Sequence, residues 1–156
     1  MSALKQSEVV GKTVTEVLCT DQELAAGGVV RAFYLVLDTG TPIQLLPFGL
    51  RVEDRTPQSA VADRSREARL CVGRQITAVM TDSRHYPPAH VDRRLENPPY
   101  DDVYLVLDRH IWVANRFFEN AENSLTVDGR DELLQLSDEY YDYWTRERID
   151  LDSALQ

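Results

Sequence analysis

His85, His90 and Asp92 fall within one stretch of eight residues, and the same stretch holds Tyr86 with Arg93 and Arg94 just beyond it. Imidazole and carboxylate groups are zinc ligands, and arginines hold acidic groups. The spacing matches no recognised ligand pattern. Pro87-Pro88 and Pro98-Pro99 also deny the segment a regular ladder or helix. Arg93 and Arg94 lie beside Asp92 and Glu96, acids they can pair with on a wet surface. The reading is a long surface loop with no metal and no cofactor. Long loops in compact domains more often carry function than short ones, so His85, Tyr86, His90, Arg93 and Arg94 are candidate binding residues.

A second candidate is Leu37-Asp38-Thr39-Gly40-Thr41. It resembles the hydrophobic-Asp-Thr-Gly motif of aspartic proteases, in which two carboxylates share a proton and activate water. That resemblance implies a partner carboxylate, and Asp108 stands at the matching place further along the chain. The match covers five residues, and the later stretch reads Asp108-Arg109-His110 without Thr or Gly. A hairpin turn accounts for Asp38 and Gly40 with no chemistry at all. No catalytic residue is assigned. A hydrolase or small-ligand site near Asp38 and Asp108, drawing on His85 or His110, is kept as the alternative. There is no nucleophile elbow, and Gly27-Gly28 lacks the Lys and spacing of a phosphate loop. Cys19 and Cys71 read as small core residues.

The third candidate is Asp138-Glu139-Tyr140-Tyr141-Asp142-Tyr143-Trp144, which mixes acids with four aromatics. Exposed Tyr and Trp are enriched in protein interfaces. Tyr140, Tyr141 and Trp144 are therefore candidate binding residues, with Tyr141 expected to be exposed. The spacing of Leu133, Leu136, Tyr140, Tyr143 and Trp144 predicts an amphipathic helix over about 131–147.

The elements that must position these groups come in two sets. Tyr34-Leu35-Val36-Leu37-Asp38 returns unchanged as Tyr104-Leu105-Val106-Leu107-Asp108, and Val10–Leu18 matches Val72–Met80. Each set reads as a helical turn stopped by a glycine (Gly11 or Gly73), followed by strands of β-branched and apolar residues. The second hairpin is expected to be tighter than the first. Gly11 to Tyr34 spans 23 positions and Gly73 to Tyr104 spans 31, so the additional eight fall in the proline-broken loop. The expected fold is α+β: an internal duplication of a small antiparallel β-rich unit, helical turn plus β-meander, over about 2–55 and 63–128, closed by the C-terminal helix. All 156 residues form one compact domain in this reading.

Composition narrows the function. Apolar residues make up 43% and charged residues 28%, as in an ordinary globular domain. The net charge is −9, from 26 acidic and 17 basic residues. A nucleic-acid partner is not expected, since such binding rests on neutralising phosphates. A basic protein partner is expected, with a homodimer joined through unpaired strands as a further alternative. No apolar run approaches the ~20 residues of a spanning helix, and the first residues lack the shape of a signal peptide. The expectation is a cytoplasmic, non-catalytic protein-binding or regulatory protein, like an immunity protein or an adaptor.

Overall fold

A computed structural model describes residues 4–23, 27, 29–46, 49–82, 103–117, 123–137 and 139–154. After a 3-10 turn, Gln6–Glu8, come β1 (Val14–Glu23), β2 (Val29–Leu37), β3 (Pro42–Leu46), β4 (Gly49–Val52) and β5 (Val61–Ala62). Then follow α1 (Arg66–Cys71), β6 (Ile76–Asp82), β7 (Val103–Leu107), β8 (Ile111–Phe117) and β9 (Asn123–Asp128). The chain ends with α2 (Arg130–Leu136), β10 (Tyr140–Asp142), β11 (Arg148–Ile149) and α3 (Leu151–Ala154). The fold is two antiparallel sheets with a few short helices. One sheet runs β4-β3-β2-β1-β5 and the other β11-β10-β6-β7-β8-β9.

Matched residues of the two sequence sets occupy matched positions. The register breaks once between Val14 and Glu16 in β1 and once between Ile76 and Ala78 in β6. Asp38 donates its N–H to the Thr13 carbonyl and Asp108 donates its own to the Gln75 carbonyl, both at 2.9 Å. Thr13 and Gln75 in turn pair with each other. Around that bridge the Gly11 N–H reaches the Ile76 carbonyl and the Gly73 N–H the Val14 carbonyl, each at 2.7 Å. Gly11 and Gly73 have φ of +92° and +84°, a region open to glycine at little steric cost.

The inner faces of the sheets meet in one core. Val17, Phe33, Leu35 and Ile43 of the first sheet join Val79, Leu105, Val113 and Leu125 of the second. Each fully buried aliphatic side chain stabilises by about 1.5–3 kcal/mol. α1 plugs this layer with Ala68 and Cys71. Its Ser65 cap accepts from the Ala68 N–H at 3.1 Å, satisfying an otherwise orphaned donor. The outer face of the second sheet carries a second core of Met80, Tyr104, Val106 and Trp112, closed by Leu133, Tyr140 and Leu151.

Two expectations are corrected here. The C-terminal helix stops at Leu136 instead of running to about 147. Ser137 is extended, with φ −157° and ψ 148°, and Tyr140 pairs with Asp82 and with Ile149 as a strand. An open edge on β6 offers the backbone more hydrogen bonds than a lone helical end would keep, and tertiary pairing overrides a helical spacing of apolar residues. The second hairpin is also no tighter than the first. Leu37 pairs with Thr41 through a 3.0 Å hydrogen bond and Leu107 opposes Ile111, so both loops hold three residues. They differ in hand. In the first, Gly40 takes φ +83°; in the second, Asp108 and Arg109 take φ 49° and 72°.

Candidate interaction surface

The C-terminal segment lies as a cover over the outer face of the second sheet. Tyr140 brings it there. Its ring is 1% exposed and stands edge-on to Tyr104 at 5.8 Å and to Trp112 at 5.4 Å. Such T-shaped contacts add to the energy of area burial. Its hydroxyl donates to the Leu133 carbonyl, which fastens the last turn of α2 to β10. After β10 the chain turns on Asp142, whose Oδ1 accepts the N–H groups of Trp144 and Thr145, both at 2.9 Å. Tyr143 and Trp144 then pack edge-to-face at 5.0 Å. The Trp144 Nε1–H donates to the Leu4 carbonyl at 2.9 Å, tying the cover to the other end of the chain.

The outward side of this cover is acidic. In sequence, residues 130–154 hold eight acidic residues and three basic ones. Asp131, Glu132, Glu147, Asp150 and Asp152 are all exposed. Between them runs a groove of about 470 Å³ lined by Arg130, Leu134, Arg148, Ile149 and Leu151 with Asp150 and Asp152. Leu134 is 40% exposed there. Arg130 hydrogen-bonds Asp152 through Nε. That bond, with the guanidinium charge, holds the Asp152 carboxyl below the usual carboxylate range and raises Arg130. The groove thus offers an apolar floor with a charged rim, the arrangement that protein interfaces favour.

The described candidate residues differ in exposure. Tyr140 is core. Tyr141 is half-buried with its hydroxyl on Glu139 Oε2 at 2.7 Å, short of the exposure expected for it. Trp144 is half-buried too. His85, Tyr86, His90, Arg93 and Arg94 lie outside the described residues. The charge concentration went unread in the sequence because the whole-chain value of −9 hides its location; a running count of acids would have found it.

The Thr13–Gln75 bridge brings the Asp38 and Asp108 turns to the same junction. Asp38 is exposed. The Asp108 carboxylate is engaged locally, accepting from Arg74 Nη1 and the Gln75 N–H, each at 3.1 Å. His110 Nδ1 faces the Asp108 carbonyl at 2.7 Å. Among the described residues, no three His, Cys, Asp or Glu side chains converge as metal ligands would. No described helix is long and apolar enough to cross a membrane.

No protein-family model matches the chain, and no curated protein or solved structure matches it either.

Proposed function

We propose that the chain is a non-catalytic binding or regulatory protein, adaptor-like or immunity-like, that uses its acidic C-terminal cover to hold a basic protein partner. The observation that carries this reading is the clustering of the exposed acids Asp131, Glu132, Glu147, Asp150 and Asp152 on a layer that also exposes Leu134 in a groove. A one-signed patch steers oppositely charged partners to the surface, and an apolar floor gives them something to bury. In this reading the protein acts in the cytoplasm, where its two thiols stay reduced, and the two sheets descend from one duplicated unit. The shared strand order and the paired hydrogen bonds around Thr13 and Gln75 support that ancestry.

The test is a competition between two baits. Wild-type protein and the variant Asp131→Asn/Glu132→Gln/Glu147→Gln, with Leu134→Ser, are immobilised and exposed to the same native lysate. A basic protein retained by the wild type, released by salt and lost on the variant supports the reading. Equal retention on both baits sinks it.

A second reading is a small-ligand or hydrolytic site near Asp38 and Asp108. The Thr13–Gln75 bridge favours it by setting both turns at one junction. Loss of a ligand or a hydrolytic activity on Asp38→Asn, with folding intact, would separate it from the first.

A further inference from the structure

A different surface points to a further interaction. β9 is the last strand of its sheet. It pairs with β8 along all six of its residues, and among the described residues no strand pairs with its other side. Beside that free edge lies a groove of about 440 Å³. One wall is continuous strand, Ser124 to Asp128; the other is built from Arg31 and Phe33 of β2 with Asp63, Ser65 and Glu67 from the approach to α1. At a rise of roughly 3.3 Å per residue, it has room for a few residues of extended chain.

Three observations say what fits. First, no Lys or Pro of β9 itself blunts the edge. Open strands are usually blunted by Lys, Pro or shortness, yet β9 reads Asn-Ser-Leu-Thr-Val-Asp. Second, the gap already accepts amide groups. At its closed end the Asn123 side chain accepts the Arg31 N–H at 2.7 Å and donates to the Arg31 carbonyl at 2.6 Å, imitating a strand residue. Third, among the charged side chains that line the groove, the ones left without an ion partner are acidic. Arg116 is paired with Asp128 at 2.5 Å and Arg31 faces Asp21 at 4.0 Å. No ion pair among the described residues engages Asp63 or Glu67. The half-buried Val127 lines the groove over the buried Phe33 and Leu125, so the alternate side chains of an added strand meet an apolar wall.

We infer that the outer edge of β9 is a docking groove for an extended basic peptide, which adds to the second sheet as a further strand. Its backbone would bond to β9, its alternate apolar side chains would pack beside Val127, and its Lys or Arg side chains would face Asp63 and Glu67. This is independent of the C-terminal surface, and either can fail alone.

The probe is a labelled, capped heptapeptide, Lys-Val-Lys-Thr-Lys-Val-Lys, titrated against the full chain by fluorescence anisotropy. Hydrogen exchange of the backbone amides is read in parallel. The expected result is binding that slows exchange in Ser124–Asp128. It should weaken about tenfold on Asp63→Asn/Glu67→Gln, which keeps the Asp63 acceptor for the Ser65 N–H, because losing two partly exposed ion pairs amounts to roughly that factor. The same peptide N-methylated at Val and Thr should not bind. Equal binding of the N-methylated peptide, equal affinity for the neutralised variant, or protection confined to β4 would each overturn the inference. So would a lack of binding by the parent peptide.

Discussion

The Asn123 carboxamide bonds both backbone groups of Arg31, 92 positions earlier in the chain. The same Nδ2 group reaches Asn115 Oδ1 at 2.8 Å, and Asn115 Nδ2 donates to the Leu45 carbonyl at 3.0 Å. Two buried amides thereby stitch β9 and β8 to β2 and β3. Asn123→Leu leaves the Arg31 groups unmet in a part-buried setting, a loss of up to about 1–3 kcal/mol each when a partner is removed. Urea denaturation should show the variant less stable by about 2–4 kcal/mol. A change under about 0.5 kcal/mol would mean that water serves Arg31 equally well.

The second hairpin holds a removable strain. Arg109 sits at φ 72°, a conformation that costs a non-glycine residue about 1–2 kcal/mol. Glycine removes that cost but loses more chain entropy on folding, roughly 0.5–1 kcal/mol. Arg109→Gly should therefore raise stability by up to about 1 kcal/mol, since the Arg109 N–H bond to Thr77 Oγ1 needs only backbone. Asp108→Ala should go the other way by about 1–2 kcal/mol, through loss of the Arg74 and Gln75 contacts. Midpoints of urea unfolding for the two variants should move in opposite directions.

Cys71 gives the protein an alkaline limit. Burial, with help from Asp63, pushes its thiol from the ordinary 9.0 up to about 12. Below pH 9 the folded and unfolded thiols both keep their proton, and the group adds no pH dependence. Between pH 9 and 12 only the unfolded chain releases it, so stability falls with rising pH. Over the whole interval the loss is on the order of 4 kcal/mol, at 1.36 kcal/mol per unit. Cys71→Ala should have a flatter stability curve than wild type from pH 9 to 11. Parallel curves would show that the thiol does not titrate this way.

The aromatic cluster ties the C-terminal cover to the sheet. Trp112→Ala should cost about 3–5 kcal/mol, as large-to-small core changes do. Tyr140→Phe keeps the ring and loses only the bond to the Leu133 carbonyl, so about 1 kcal/mol is expected. Near-ultraviolet circular dichroism should lose its aromatic signal in the first variant and keep it in the second.

Much of the sheet framework was legible because it is local. β1, β2, β3, β6, β7 and β8 fall where β-branched and apolar runs place them, and Gly11 and Gly73 stop the preceding turns as their φ freedom suggests. What was not legible depends on distant neighbours. Leu133, Leu136, Tyr140 and Tyr143 have a helical spacing, yet Tyr140 becomes strand because β6 has an open edge 58 positions earlier, at Asp82. The candidate surfaces were legible only in part. Tyr141 and Trp144 do lie in the cover, but the groove beside Leu134 depends on α2 meeting α3, and the groove beside β9 on Asn123 meeting Arg31. Neither meeting leaves a trace in spacing.

The Thr13–Gln75 bridge bears on how the molecule comes apart. The opening residues of β1 and β6 take hydrogen bonds from each other as well as from their own sheets. Val14 donates to the Arg74 carbonyl and Ile76 to the Lys12 carbonyl, at 2.9 and 2.8 Å. Melting either sheet therefore strips partners from the other at its first strand. The two halves, however similar in sequence, are bound into one cooperative unit, and a chain truncated after the first half would lack the scaffold that holds its own leading edge.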